Sequence, residues 1–504
     1  MKVLKLFWQN INCEKNSGFN LFSFSLIAVY SLMVVFGAYH HELWRDEAQA
    51  WLIARDLDFS GIIFLMRYEG HLALWHLIIA PFAKAGFPYY SMTIIHLIIS
   101  ISAISVFVIK SHFSKLFKIL IIFSYYFAFE YAVIARNYSI TILLLFLIAS
   151  IYNRRFEKPI LFAFLIFLLL NTNVFGSIIG TTLFVLFAYE IIKNINRNKT
   201  HYFSLLILLI GFALVIFQLY NPDDAIFSII GYRNFYAFFS IFTNTFIPLP
   251  FAYHSTFTFL FFSLLALFFF YTFIKKPKLL FLITLTLLGF AYVYTYKHSG
   301  YHRHHALIFV FIIFLLWINK YYKENNRILS FLNLENSFVS KTDVFKKIVM
   351  RIISLCLFFS IIYNFNTYYN EYKYNFSGAK DMGDFIKNNN LDDYEIVTSS
   401  IYRAIAVVPH INQKSVFYLQ TNRYGSFGVW DKHTFNKASL PKDTIVELIE
   451  RRLLLNRKIL FLTSDSIEIE KLPDFEIIHK TANKDFWVDG ESVNENYWLY
   501  KPIK

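Results

Sequence analysis

Long apolar runs separated by short polar turns fill the first 366 residues, and after Asn366 the pattern changes to short alternating segments. A membrane span needs about 17–25 predominantly apolar residues. Runs near 19–40, 88–109, 117–134, 138–153, 159–172, 174–192, 202–220, 256–274, 279–296, 305–320 and 347–366 are therefore read as spans. Two further runs, 72–85 and 236–252, are short or interrupted, by Pro81 and by Pro248 and Pro250, and are read as interfacial or re-entrant. The pattern predicts an α-helical polytopic membrane protein with about 11–13 transmembrane helices over 1–366. Residues 19–40 are too long for a signal-peptide core and lead into a polar loop without a small-x-small cleavage site, so a retained first span is expected.

Beyond residue 366 a helix is expected over 377–387, with Ser377 as its N-cap, and an amphipathic helix over 444–455. Residues 394–398, 415–419, 458–462 and 475–479 read as strands. Strands alternating with helices predict a small soluble α/β domain over 367–504. No Gly-rich phosphate loop is present, so no nucleotide is assigned to it.

Composition agrees with the pattern. The chain is 57% hydrophobic and 16% charged, where soluble domains carry about 25% charged residues. Its formal charge of +14 is uneven: residues 367–504 hold 18 Lys and Arg against 19 Asp and Glu, leaving 30 against 15 in the rest. That surplus lies mostly in short connections between apolar runs, around Lys2/Lys5/Lys15, 110–118, Arg154/Arg155/Lys158, 193–199, 275–278 and 320–347. This is the positive-inside signature of a membrane protein and not a nucleic-acid surface. With these connections in the cytoplasm, the N-terminus is cytoplasmic in a multi-pass inner-membrane protein. Residues 41–87, 135–139, 171–173, 221–255, 297–304 and the 367–504 domain are then extracytoplasmic. Cys13 and Cys356 lie far apart and form no disulfide framework or metal motif.

The first outer loop, 41–71, gathers Arg45, Asp46, Glu47, Glu69 and His71 between apolar runs. Charges in hydrocarbon are costly, so such a loop lines water or a polar cavity and marks a site. A short helix over 46–56, opened by two acids at its positive end, is expected to place Ala48, Trp51, Leu52 and Arg55 on one face, with Trp51 at the membrane interface. Ser60-Gly61 is expected to break it before a second amphipathic turn. Two further clusters fall on the same side: Arg136-Asn137-Tyr138, and Lys297-His298-Ser299-Gly300-Tyr301-His302-Arg303-His304-His305. Cations dense on the outer side go against the charge rule, and a lipid phosphate or pyrophosphate is the anion that Arg holds best. Plain headgroup contact and a histidine zinc site are the other readings of that cluster. Asp46 is suited to general-base work while the cations neutralise a departing phosphate. Glu47 or Glu69 is suited to positioning an acceptor or holding a divalent cation, which the sequence permits and does not require.

Asp46-Glu47-Ala48-Gln49-Ala50-Trp51 and Glu69-Gly70-His71-Leu72-Ala73-Leu74, in this order after a long first span, resemble motifs of the GT-C superfamily of polyprenyl-phosphate-dependent glycosyltransferases. The likeness is to the bacterial relatives of the protein mannosyltransferases and the aminoarabinose lipid A transferases. Glu130-Tyr131-Ala132-Val133 with Ala135-Arg136-Asn137-Tyr138 resembles the second outer loop of that group, and Arg303-His304-His305 resembles its late basic loop. Leu72-Ala73 stands where the group has Pro-Pro, and Arg136-Asn137 where it commonly has an acid. The resemblance implies a GT-C-like fold, Asp46 as catalytic carboxylate, and a donor phosphate held by Arg136, Lys297, His302, Arg303, His304 and His305. Glu47, Glu69 and His71 would bind the acceptor or support the site.

The expected function is a cell-envelope glycosyltransferase with inverting chemistry. It would move a sugar from a polyprenyl-phosphate donor to a lipid, glycan or protein acceptor on the outer face of the membrane. The rival reading is a carrier or flippase for lipid-linked sugars. Transporters usually set their charges near the bilayer midplane on broken helices with internal repeats, whereas here they cluster at one face without an evident repeat. A structural or assembly role for the C-terminal domain leaves the loop charges unexplained.

Overall fold

A computed structural model of the chain describes residues 19–193, 198–226, 272–298, 300–325, 342–438, 440–464, 472–481, 486–488, 491–493 and 495–503. It also describes Thr245, Leu260, Ser263, Leu264, Leu267, Ile328 and Ile467. Most of the expected span at 256–274, nearly all of 236–252, Ser299 and the basic N-terminus lie outside the described residues.

Among the described residues, seven helices are long and apolar enough to cross a membrane: Leu21–His40, Ser91–Lys110, Val174–Lys193, Lys199–Leu219, Pro277–Tyr296, His302–Tyr321 and Met350–Lys373. At 1.5 Å per residue, 20 residues reach about 30 Å, the thickness of the hydrocarbon core. Three shorter apolar helices, Leu74–Lys84, Tyr138–Arg154 and Pro159–Leu170, accompany them. Tyr138–Ile151 lies along Ser91–Lys110, and Pro159–Leu170 lies along Val174–Lys193 and Lys199–Leu219.

The 117–134 run does not form the single helix its hydropathy predicts. Helix Lys115–Ile122 stops at Phe123, and Tyr126–Glu130 winds as a π turn. Side chains take over the backbone partners at the break: Ser124 Oγ donates to the Ile121 carbonyl at 2.6 Å, and Tyr125 N donates to Ser360 Oγ at 3.1 Å. Such insertions into the helical ladder are the usual cause of a break.

Polar residues separate to the two ends of the bundle. His41, Arg136, Arg303 and Glu371 meet at one end, through Asp46 and Glu47. Arg155, Glu190, Lys278 and Tyr322 meet at the other. Helix Val174–Lys193 runs from the first end to the second, and Pro277–Tyr296 runs back.

The C-terminal part contains a six-stranded sheet in the order β3-β2-β1-β4-β8-β5. Its strands are β1 Glu395–Thr398, β2 Val416–Tyr418, β3 Arg423–Gly425, β4 Ile459–Thr463, β5 Phe475–Lys480 and β8 Trp498–Pro502. β1 runs parallel to β2 and β4, and β3, β8 and β5 pair antiparallel. β6 Phe486–Val488 and β7 Glu491–Val493 form a separate hairpin. The helix expected at 377–387 is Ala379–Asn388 with Gly378 at its N-cap. Ser377 sits one residue earlier than a cap because its hydroxyl donates to Glu495 at 2.8 Å while accepting from Ala379 N.

One continuous apolar core joins the two parts. It contains Trp44, Trp51 and Ile79 of the helical part together with Phe376, Ile401, Val407 and Tyr418 beyond it. A second, smaller core behind the sheet packs Ile449 against Ile459, Phe461 and Phe475. The sheet-bearing part is therefore seated on the helices, and it sits over the first loop.

Candidate active site

The first-loop helix forms over Arg45–Asp56. Trp44 precedes it and Glu47, three residues on, reaches back to accept from Trp44 N at 3.1 Å, satisfying an otherwise orphaned donor. Residues 47–54 are all buried. Trp51 is 3% exposed and packs on Tyr89, with ring centroids 5.9 Å apart, so the expected placement of Trp51 at the membrane interface is corrected. The reason is that the C-terminal part covers the face that lipid was expected to touch.

The break expected at Ser60-Gly61 comes earlier. Asp58 caps the next helix, Phe59–Glu69, by accepting from Gly61 N at 2.6 Å, so Ser60 and Gly61 belong to its first turn. Gly70 ends that helix at φ 65°, a left-handed conformation that glycine adopts without strain. The chain then turns at Leu72-Ala73, where Ala73 N donates to Gln218 Oε1 at 2.9 Å. Proline at 73 would lack that N–H, which gives a physical reason for its absence here.

Asp46 projects from the first turn of its helix and meets two arginines from distant segments. Arg136 Nη1 bonds to Asp46 Oδ2, and Arg303 Nη2 lies 3.8 Å from the same oxygen. Asp46 keeps 32% of its side chain exposed, whereas Arg136 and Arg303 keep 12% and 9%. The carboxylate is therefore partly exposed beside two nearly buried cations. Burial alone would raise its pKa, but the charges of Arg136, Arg303 and Arg45 outweigh it and hold Asp46 down at about 2. Arg303 also lies over the rings of Tyr301 and Trp44, at 4.9 and 5.9 Å.

Glu47 is 0% exposed and accepts at both oxygens. Oε1 takes Ala135 N at 2.6 Å, and Oε2 takes Trp44 N and lies 3.2 Å from His41 Nε2. His41 Nδ1 lies 2.7 Å from Glu371 Oε1, near the C-terminal end of helix Thr342–Lys373. A histidine between two carboxylates donates to both only as imidazolium. Burial pulls His41 down, yet Glu47 and Glu371 together hold its pKa well above the usual range. Glu47 is thus fully buried with both oxygens taken by the protein's own groups, an arrangement suited to supporting the site.

Glu69 is buried and accepts from Gln49 Nε2 at 2.9 Å. Its burial pushes its pKa up to about 8, against the bond from Gln49, so it keeps its proton at neutral pH. Beside it, burial and then the charge of Arg136 push His71 down to about 3, leaving it neutral. Gln49 continues to the C-terminal part, donating to the Gly428 carbonyl at 2.6 Å and accepting from Gly428 N at 3.0 Å. Arg45 N donates to Glu495 Oε1 at 3.2 Å, with Arg45 Nε 3.6 Å from the same oxygen.

The late basic cluster divides. Arg303 reaches Asp46. His304 Nδ1 accepts from Tyr301 N at 2.9 Å, its Nε2 lies 2.8 Å from Tyr138 Oη, and its ring stacks on Phe175 at 5.0 Å. It therefore braces the turn. His302 and His305 are buried, His305 edge-on to Tyr294 at 4.9 Å, while Lys297 and His298 are exposed. His298 Nδ1 accepts from Gly300 N at 2.7 Å. Among the described residues, no three His, Cys, Asp or Glu side chains are grouped to hold a metal ion.

Gln49, Glu371 and Glu495 contribute to the site without being picked out by sequence reasoning. An acid closing an apolar run marks Glu371, but Gln49 and Glu495 carry no local signal for their bonds to Gly428 and Arg45, which lie 379 and 450 positions away. No protein-family model, curated protein or solved structure matches this chain.

Proposed function

We propose that this chain is an integral-membrane glycosyltransferase of GT-C type. It transfers a sugar from a polyprenyl-phosphate donor to a lipid, glycan or protein acceptor at the extracytoplasmic face of the membrane. The observation that carries the reading is the convergence of Asp46 with Arg136 and Arg303, an accessible carboxylate between two nearly buried cations at one end of an apolar bundle.

Such a constellation matches the needs of the reaction. An acceptor hydroxyl or amine attacks the anomeric carbon from the face opposite the phosphate, and inverts it. The bond from that carbon to the phosphate oxygen breaks, polyprenyl phosphate leaves with the electron pair, and the acceptor proton passes to Asp46. Arg136 and Arg303 stabilise the charge gathering on the leaving phosphate through charge-assisted bonds. With both arginines against it, Asp46 is a weak base. A donor phosphate competes for the same guanidinium groups, and as it draws them away the carboxylate regains basicity. Donor binding thus arms the base.

The test uses the purified chain in lipid nanodiscs with a panel of synthetic polyprenyl-phosphate sugars, reading release of polyprenyl phosphate. Asp46→Asn should lower transfer by about 10²–10⁴-fold while donor binding persists. Retention of more than about a tenth of the activity would reduce Asp46 to a helix cap, a role asparagine fills equally well. Passage of intact donor across sealed vesicles, without release of polyprenyl phosphate, would favour a carrier instead.

A further inference from the structure

His71 is carried on the turn that Gly70 and Ala73 fix, through the left-handed conformation of Gly70 and the bond from Ala73 N to Gln218 Oε1 at 2.9 Å. Burial first, and then the charge of Arg136, keep its imidazole neutral, and Asp46 and Arg303 also act on it. One ring nitrogen therefore carries a hydrogen and the other a lone pair. Among the described residues neither nitrogen finds a hydrogen-bond partner, and neither is enclosed. This sets His71 apart from two other histidines at the same end. His41 is held between Glu47 and Glu371, and His304 between Tyr301 and Tyr138.

Asn137 adds a second unsatisfied group. It directly follows Arg136, on a turn tied down by the bond from Ala135 N to Glu47 and by the contact of Tyr138 with His304. Asn137 is 4% exposed, and its amide oxygen is buried without a partner among the described residues. A buried acceptor left unpaired is destabilising, and a bound hydroxyl relieves it.

We infer that His71 and Asn137 hold the donor's sugar by its hydroxyl groups, so that the transferred sugar is neutral, and neither an amino sugar nor a uronic acid. This rests on the reading of Arg136 and Arg303 as the donor-phosphate site, and it assigns His71 to the donor in place of the acceptor. The sugar joins that phosphate through its anomeric carbon, so its hydroxyls lie within one sugar ring of the phosphate. A neutral imidazole and an amide each offer a donating and an accepting side. A sugar hydroxyl both donates and accepts, and matches them. A uronic carboxylate only accepts, and would set its charge against the lone pairs of His71 and Asn137. An ammonium group only donates, and the charge of Arg136 that opposes a proton on His71 opposes it in the same way.

The test uses the full chain in lipid nanodiscs and measures dissociation constants. Its probes are bare polyprenyl phosphate and polyprenyl phosphates that carry glucose, aminoarabinose or galacturonic acid. Wild type should bind the glucose donor at least about tenfold tighter than bare polyprenyl phosphate, and tighter than either charged-sugar donor. His71→Ala should reduce that preference to about twofold or less, with bare polyprenyl phosphate bound as in wild type. His71→Gln keeps a donating and an accepting group and should restore part of the preference, which a merely structural role of the ring would not. Asn137→Ala should also lower the preference, and keeps the test open if the His71 variants misfold. An unchanged preference in folded His71→Ala would overturn the inference, as would tighter binding of either charged-sugar donor. If bare polyprenyl phosphate binds and glucose adds nothing, this inference alone falls. If bare polyprenyl phosphate does not bind, the donor-phosphate reading falls and this inference with it.

Discussion

Glu47 and Ala135 are 88 positions apart, yet a carboxylate oxygen of Glu47 accepts the backbone N–H of Ala135 at 2.6 Å. This bond fixes the first outer loop to the turn that carries Arg136, and its other oxygen holds the helix start from which Asp46 projects. Asp46 and Arg136 therefore share one buried anchor.

Glu47→Gln keeps the size of that anchor but removes the charge facing His41. Removing one partner of a buried ion pair costs about 3–5 kcal/mol, so the melting temperature in detergent should fall. In the protein that remains folded, transfer should fall mainly in kcat, because Asp46 and Arg136 lose their register. A variant with unchanged melting and unchanged kcat would remove Glu47 from the support of the site.

Arg303→Ala removes a cation that also packs over Tyr301 and Trp44. A lost bond to a charged group is worth about 1.5–3 kcal/mol, so the KM for the polyprenyl-phosphate donor should rise at least about tenfold. His304→Ala should act differently. Its ring supports Tyr301, Tyr138 and Phe175, so thermal stability should drop more than donor affinity. Equal donor KM for wild type and a correctly folded Arg303→Ala protein would assign Arg303 to headgroup contact.

Glu69 gives the site a pH signature. The fold favours its protonated form, with a pKa raised by burial to about 8. An unfolded glutamate titrates at about 4.3. Its contribution to stability is therefore full below about pH 4.3 and is lost progressively as the pH rises through about 8. Glu69→Gln cannot ionise and should lack this loss. Melting temperatures measured from pH 5 to 9 should show wild type falling relative to the variant as the pH rises. Parallel curves would mean that Glu69 is solvated.

The sidedness of the bundle is open to reporter fusions. Lys199 lies at the end that carries Arg155 and Glu190, and the sheet-bearing part lies at the end that carries Asp46. Reporters at Lys199 and Asn326 should be cytoplasmic and a reporter at Lys504 extracytoplasmic, following the basic connections. A cytoplasmic signal at Lys504 would reverse the assignment.

Local patterns carried much of this architecture, and long-range ones did not. The apolar runs at 19–40 and 174–192 reappear as helices Leu21–His40 and Val174–Lys193, because burial in lipid needs only local hydropathy. The runs at 394–398 and 458–462 reappear as β1 and β4 for the same reason. The 117–134 run misled because Ser360, on another helix, takes the Tyr125 N–H. Trp51 misled because amphipathicity cannot say whether lipid or a second layer of protein will cover a face. At the site, Asp46, Arg136 and Arg303 stood out as charges beside apolar sequence. Their meeting at one point, and the supports Glu371, Gln49 and Glu495, depend on contacts that no window of sequence contains.

Those same distances set an order of events during biosynthesis. Asp46 leaves the ribosome early, but His41 waits 330 residues for Glu371, Gln49 waits 379 for Gly428, and Arg45 waits 450 for Glu495. At about 5–20 residues per second, the last of these intervals is roughly 20–90 s. Throughout it the loop lacks the contact that Glu495 supplies, although Ala135, Arg136 and Arg303 are made earlier. The growing chain is therefore exposed to misassembly until its sheet-bearing part arrives and closes over the loop.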